Sequence, residues 1–458
     1  MTPRLFLFIA CSLYAGFSAA QATAPLERQG ETSVTLTLAQ LKDSALANNR
    51  TLRQQRLAID AAGQQRREAF TKYFPTVSAT GAWFNANRGM AKMDIDPSQF
   101  ISPELGATLA QMLPAEALMA LSSPMTMTMM KNGTIAGISA VQPVFAGGQI
   151  VLGNKLAKVG EEASRLQLQL SENEVEAQVE QYYWQLVALQ EKRRTLDAAD
   201  TLLADLAKDA KAAVDAGVAL QNDLLQVQLR QNDLQSQRLK LDNGSELISL
   251  LLAQACGLSR TPLISFPATA EALTTAPSCE GGEPYGLPEY QLLQKNVEAA
   301  SLQRKMEVAK NLPSVAVGAG YNYHNLLDND RTFAMLFATV SVPISDWWGG
   351  SHAIKRRKLE QQKAQEQLDE NTQLLTIRIQ KARNDVAEAY SQLQLANRSI
   401  EQARENLRIH RDTYAAGTAT MSDLLQAQLL HQQALDQHTD AYIQLQNAQL
   451  AYRQATGQ

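Results

Sequence analysis

Two acids stand at matching places in this chain, Asp223 and Asp423, each a short step beyond an Ala-Gly pair. Carboxylates gathered at one level of an assembly line a pore with negative charge and favour cations. The same acids also suit the first turn of a helix, where a side-chain oxygen satisfies free N–H groups, and the sequence leaves both roles open. Cys256 and Cys279 follow an N-terminal export leader. In an oxidising compartment they can pair and pin a polar linker to a helix, or remain as a small buried residue and a free thiol. His431 and His438 stand two helical turns apart without Cys or carboxylate partners at ligand spacing, so no metal site is expected there. Between Gly89 and Gly133 lie eight of the twelve Met residues. Thioethers can hold copper or silver, but Leu105–Met112 and Ala115–Leu121 read better as short amphipathic helices with Met as an adaptable packing residue. No Ser/His/Asp set, phosphate loop or nucleotide fingerprint stands out, so neither an enzyme nor a cofactor is expected.

The elements that position these residues are written twice. Val141-Gln142-Pro143-Val144-Phe145 recurs as Ser341-Val342-Pro343-Ile344-Ser345, Ala216-Gly217-Val218-Ala219 as Ala416-Gly417-Thr418-Ala419, and Ala255-Cys256-Gly257 as Ala455-Thr456-Gly457, all at an offset of 200 residues. Three landmarks at one offset identify a tandem duplication. The expected organisation is a leader at 1–22, a first repeat at 23–257, a linker at 258–287 and a second repeat at 288–458. Each repeat reads as a moderate helix (Leu36–Tyr73; Pro288–Asn311), two alternating strands (Thr76–Phe84 and Thr134–Val144; Val315–His324 and Phe333–Ile344), a very long helix (Gln149–Val214; Ser351–Ala415), a Gly turn and a shorter return helix (Gln221–Cys256; Met421–Thr456). In the second long helix Val386, Leu393, Ile400, Leu407 and Tyr414 recur every seven residues, with Ala389, Ala396 and Ala403 beside them. That is a coiled-coil seam with small residues permitting close approach. Each long helix reaches roughly 100 Å at 1.5 Å per residue.

Aromatics are only 6% and the net charge is −4 with no basic patch, so nucleic acid is not the expected partner. The apolar stretch Leu5–Phe17 with Arg4 before it and Ser18–Ala22 after it has the form of an export signal; Cys11 within it only faintly resembles a lipidation site. Beyond the leader no segment is apolar enough for a membrane helix. A membrane crossing would therefore need a closed β-barrel, which four strands cannot make around a channel. Trp83, Tyr321, Tyr323 and Trp347-Trp348 are candidate interfacial anchors, with packing at the helix–strand junction as the alternative for the Trp pair.

Tyr414-Ala415-Ala416-Gly417-Thr418, with Asp423-Leu424-Leu425-Gln426-Ala427 after it and its twin at Ala216–Gln226, resembles the periplasmic tip of TolC-like outer-membrane factors. The resemblance spans both repeats. It implies an α+β membrane protein: a homotrimer that pools four strands per chain into a twelve-stranded β-barrel, continued by a long α-helical periplasmic tunnel. It further implies an outer-membrane efflux or type I secretion duct, with a periplasmic adaptor (membrane fusion protein) and an inner-membrane pump as partners. By the same resemblance Tyr414, Asp223 and Asp423 are gate residues, and Ala216, Gly217, Ala219, Ala416, Gly417 and Thr418 form adaptor-docking tips. The chain departs from the pattern at Ala419, where relatives often have Arg, and at Gln426, where they often have an acid; fewer ionic contacts should hold its gate. The alternative is a periplasmic coiled-coil adaptor or spacer without a barrel.

Overall fold

The computed structural model describes residues 35–88, 91–96, 101–122, 125–129, 132–259, 263–264, 279, 281–325, 330–344 and 346–457. The leader at 1–22 and most of the inter-repeat linker lie outside these residues. The first repeat runs β1 (Thr35–Leu36), α1 (Leu38–Asn48), α2 (Arg50–Thr71), β2 (Thr76–Asn85), β3 (Ala91–Ile95), α3 (Pro103–Met112), α4 (Ala115–Ser122), β4 (Met125–Met129), β5 (Asn132–Ala146), α5 (Gln149–Asp215) and α6 (Gln221–Ala255). After β6 (Leu263–Ile264) the second repeat runs α7 (Pro288–Lys310), β7 (Ser314–Asn325), β8 (Asp330–Ser341), α8 (Asp346–Ala415) and α9 (Met421–Thr456). The strand–long helix–return helix order expected from the duplication is present in both copies.

The sequence reading misses two features. The first helix is two helices, because Asn49 leaves the helical region (φ −59°, ψ 134°). Its amide donates to the Ala255 carbonyl at 2.8 Å while its Oδ1 accepts from Thr51 and Leu52 backbone N–H groups. One side chain thus caps α2 and ties it to the end of α6. The second feature is the β3–β4 hairpin inside the Met-rich segment, which sets Met93 opposite Met127.

β2, β5, β7 and β8 form one antiparallel sheet in that order, so the hairpins of the two repeats join through β5 and β7. Register places Ala79, Ile138, Tyr321 and Ala334 in one row, and Val77, Ala140, Ala319 and Leu336 in the next row of the same face. That face is apolar and exposed: Leu336 is 87% accessible and Trp83 70%. The opposite face is mixed; Ser78 and Ser139 share a hydrogen bond there at 3.1 Å. The β5–β7 register slips between Pro143 and Phe145, where a residue without an N–H is tolerated at a bulge. At Gly147 (φ +61°) a Cβ would stand 2.2 Å from the Ala309 carbonyl oxygen, so only glycine lets α5 start this close to α7.

The helical part is held by three apolar clusters. One joins α1, α5 and α6 through Leu41, Val179, Leu186 and Leu252. A second is the α8–α9 seam, with Val386, Ala389, Leu393 and Ala396 against Ala441, Leu445 and Tyr452. The third lies at the far end and includes residues of both repeats. In α5, which is 67 residues long, Val175, Leu196, Leu203 and Ala210, spaced at multiples of seven, are buried. Among the described residues no helix is long and apolar enough to cross a membrane.

Candidate gate at the helical tip

Both long helices end in the same turn. Gly217 (φ +75°) and Gly417 (φ +72°) take the left-handed conformation that closes a helix C-terminus. The Val218 and Thr418 N–H groups reach back to the Ala213 and Thr413 carbonyls at 2.9 Å, and the Ala219 and Ala419 N–H groups share those acceptors. A Cβ at either glycine would meet open space, so the backbone angle and not crowding selects glycine.

Beyond the turns the copies diverge. Thr420 caps α9: its hydroxyl accepts from the Asp423 N–H at 3.2 Å, while Asp423 Oδ2 accepts from the Thr420 N–H at 3.0 Å and its hydroxyl at 2.6 Å. These Thr420 hydrogen bonds hold the Asp423 carboxyl below the usual carboxylate range. The corresponding residue of the first copy is Leu220, which offers no side-chain cap and is exposed. Helix capping therefore describes Asp423 and not Asp223.

Asp223 faces a different neighbour. Burial raises the Tyr414 phenol, and the charges of Asp223 and Asp209 raise it further, so it stays protonated and able to donate. Tyr414 belongs to the second repeat and both acids to the first. The surrounding apolar cluster crosses the repeats in the same way: Met421 and Leu424 of α9 are buried against Leu203, Leu206, Ala210 and Val227, with Leu407 and Tyr414 packed at its edge. The structure thus packs Tyr414 against the same apolar cluster as Leu224, the residue after Asp223, and places Asp423 in its own cap.

Residues 288–458 match the family model described as outer membrane efflux protein. No curated protein matches the chain in sequence. Among solved structures, the outer-membrane channel OprN is similar with a TM-score of 0.74 at 17% identity, over 92% of this chain and 89% of that one. CusC, a structure described in terms of transmembrane channel formation, gives 0.75 at 13% identity over 94% and 95%. The outer membrane channel CmeC of Campylobacter jejuni gives 0.70 at 14% identity over 98% and 95%. The family match thus covers the second repeat. The whole chain has the TolC-like fold.

In this TolC-like chain the cysteine pairing does not form. Cys256 is fully buried beside α1, its Sγ donating to the Leu41 carbonyl at 3.5 Å, and Cys279 packs on the other cluster, against the α8–α9 seam. Burial pushes the Cys256 thiol up to about 11. Burial also lowers His431 and His438, and no group of metal-binding side chains occurs among the described residues. Trp348 lies in the first turns of α8 and is 79% exposed in the single protomer; the Trp347 side chain lies outside the described residues.

Two polar clusters escaped the sequence reading. Above the tip, the largely buried Arg230 donates to Gln432 Oε1 at 2.8 Å and Gln428 Oε1 at 3.5 Å, and Gln432 donates to Gln237 Oε1 at 3.0 Å. This ties α6 to α9. Their signal is present in the sequence as two glutamines on an otherwise apolar helix stripe. Higher up, buried Glu180 pairs with Lys42 and, at 2.6 Å, with Arg453, joining α1, α5 and α9. Only the fold brings these distant residues together.

Proposed function

We propose that the chain is the subunit of a passive outer-membrane efflux duct, closed at rest by its periplasmic tip. The observation that carries the reading is the four-stranded sheet: one face is apolar and exposed, and its edge strands β2 and β8 lack partners among the described residues. Unpaired edges cannot lie in lipid. Three copies joined edge to edge remove every edge and give a barrel wide enough for a channel. Trp83 and Tyr321 sit on the lipid side as interfacial anchors. The family match and the fold support an outer-membrane location with the helices extending into the periplasm.

Tyr414 and Asp223 form the closing contact of the gate, where three copies of each converge, and Asp423 holds the adjoining helix start in place. The turns at Ala216, Gly217, Ala219 and at Ala416, Gly417, Thr418 receive a periplasmic adaptor that links the duct to an inner-membrane pump. The first turn presents exposed Val218 and Leu220 and the second presents Thr418 and Thr420, so an adaptor meets one apolar and one polar tip. Native mass measurement and planar-bilayer recording of the detergent-purified protein test the architecture. A trimer that conducts supports it; a conducting monomer overturns it.

A further inference from the structure

The ends of the four helices that meet the sheet carry an excess of positive charge. Residues 62–72, 149–158, 301–311 and 346–358 hold twelve Lys and Arg against three acids, in a chain whose net charge is −4. α2 and α7 end at the sheet and α5 and α8 begin there, so these residues form a band within roughly 20 Å of its base. Some are compensated: Arg66 pairs with Glu161 at 3.1 Å, and Arg357 with Glu360 at 2.7 Å. Arg67, Lys155, Lys355 and Lys358 are exposed and make no ion pair among the described residues. Helix dipoles do not explain the last three, because cations are favoured at C-terminal ends and these lie near the N-terminal ends of α5 and α8.

Aromatic residues share the band. Phe70, Tyr73 and Phe74 form edge-to-face pairs with centroids 5.6 Å apart and are exposed, as is Trp348. A groove between α2 and α5 is lined by Phe70 and Tyr73 together with Arg67 and Lys155. Rings of this kind favour the headgroup level of a bilayer. Side chains on a helix lean toward its N-terminus, so Lys155, Lys355 and Lys358 lean toward the sheet.

We propose that this band is a binding collar for anionic phospholipid headgroups of the periplasm-facing leaflet, continuous with the apolar face of the sheet. The inference rests on the membrane placement argued above. The collar fixes the depth of the barrel and gathers anionic lipid around it, since each cation near a charged surface strengthens attachment.

The full-length protein, reconstituted into phosphatidylcholine vesicles with and without phosphatidylglycerol, tests this. Lipid retained after detergent extraction is identified by native mass spectrometry. Wild type should retain phosphatidylglycerol in preference to phosphatidylcholine, the more so at low salt. The quadruple variant R67Q/K155Q/K355Q/K358Q should insert and form trimers but lose that preference, by roughly fivefold per charge removed. The Lys-to-Arg variant K155R/K355R/K358R should keep it. Normal insertion with no headgroup preference, or a preference unchanged in the quadruple variant, overturns the collar and leaves the membrane placement standing. A quadruple variant altered only in channel ion selectivity assigns the cations to the lumen and also overturns it. Failure to insert into either vesicle overturns the placement and the collar with it.

Discussion

At Gly417 a Cβ has room but the backbone does not suit it, since φ is +72°. A β-branched residue forced into the left-handed region costs about 1–2 kcal/mol, and nothing nearby can relax to relieve it. Gly417→Val should therefore stop export while the trimer and barrel persist, read by a drug-sensitivity assay beside a native gel; normal export would remove the turn from the docking role. The neighbouring caps give a sharper pair of outcomes. Thr420→Ala removes a capping box and should cost about 1 kcal/mol, whereas Leu220→Thr should add one to the first tip and slow its amide exchange. Asp423 is held below its ordinary value in the folded state, so its contribution is present above the unfolded Asp value of about 3.9 and is lost as pH falls through the lowered folded value. Amide protection at residues 420–424 should accordingly fall on acidification. The twin acids looked equivalent in the sequence because their offset is the same; the residue three places earlier, Leu220 or Thr420, separates their roles. The cysteines were ambiguous for another reason. Two thiols in one exported chain are compatible with a bond, and only the packing assigns them to different clusters. A thiol reagent should modify Cys279 in the folded protein and reach Cys256 only on unfolding.

Helices and strands were legible wherever one period ran unbroken. The seven-residue repeat of Val386, Leu393, Ile400, Leu407 and Tyr414 located α8, and alternation located β7. Breaks were not legible. Asn49 interrupts an otherwise helical stretch because its side chain finds the Ala255 carbonyl more than two hundred positions away, and no local signal announces such a partner. The short β3–β4 hairpin was hidden by Met, which carries no strong preference for strands. Buried ionic groups that join elements were equally invisible. Burial works to raise the Glu180 carboxyl, but the Lys42 hydrogen bond and the charges of Lys42 and Arg453 outweigh it and hold it lowered. Its contribution to stability is thus present above about pH 4.3 and is lost as pH falls through the lowered folded value. Glu180→Ala leaves both cations without their partner, and removal of one member of a buried pair is strongly destabilising. Allowing for the partial exposure of Lys42 and Arg453, a loss of about 2 kcal/mol is expected. Thermal denaturation of the variant should show little of the acid destabilisation between pH 5 and pH 3 expected of wild type, on the order of the Glu titration range; an unchanged melting temperature would leave the cluster without structural weight.

Across the whole molecule the duplication makes two hairpins that are alike in shape and unlike in attachment. The first hairpin, α5 and α6, receives Met421 and Leu424 of the second into its apolar cluster, and Arg230 binds the second return helix through Gln428 and Gln432. Opening the tip by swinging the α8–α9 hairpin away from its neighbour must break Tyr414 from the Asp223 side and strain the Arg230 bridge, while the α8–α9 seam itself can move as one body. Tyr414→Ala should therefore raise resting conductance in planar bilayers, the cost of the lost half-buried ring being about 1–2 kcal/mol of closure. Arg230→Met should do so too, because it removes both Arg230 hydrogen bonds of that bridge, leaving only Gln432 to Gln237, yet keeps the apolar stem. If the two contacts lie in series along one opening movement, the double variant should open no further than the more open single variant; if they act independently, their effects on closure should add. The acids then separate by charge: Asp223→Asn should weaken cation selectivity at the tip, while Asp423→Asn should chiefly loosen the start of α9. Equal selectivity loss in both single Asn variants would return both carboxylates to the pore wall and make the cap incidental to gating.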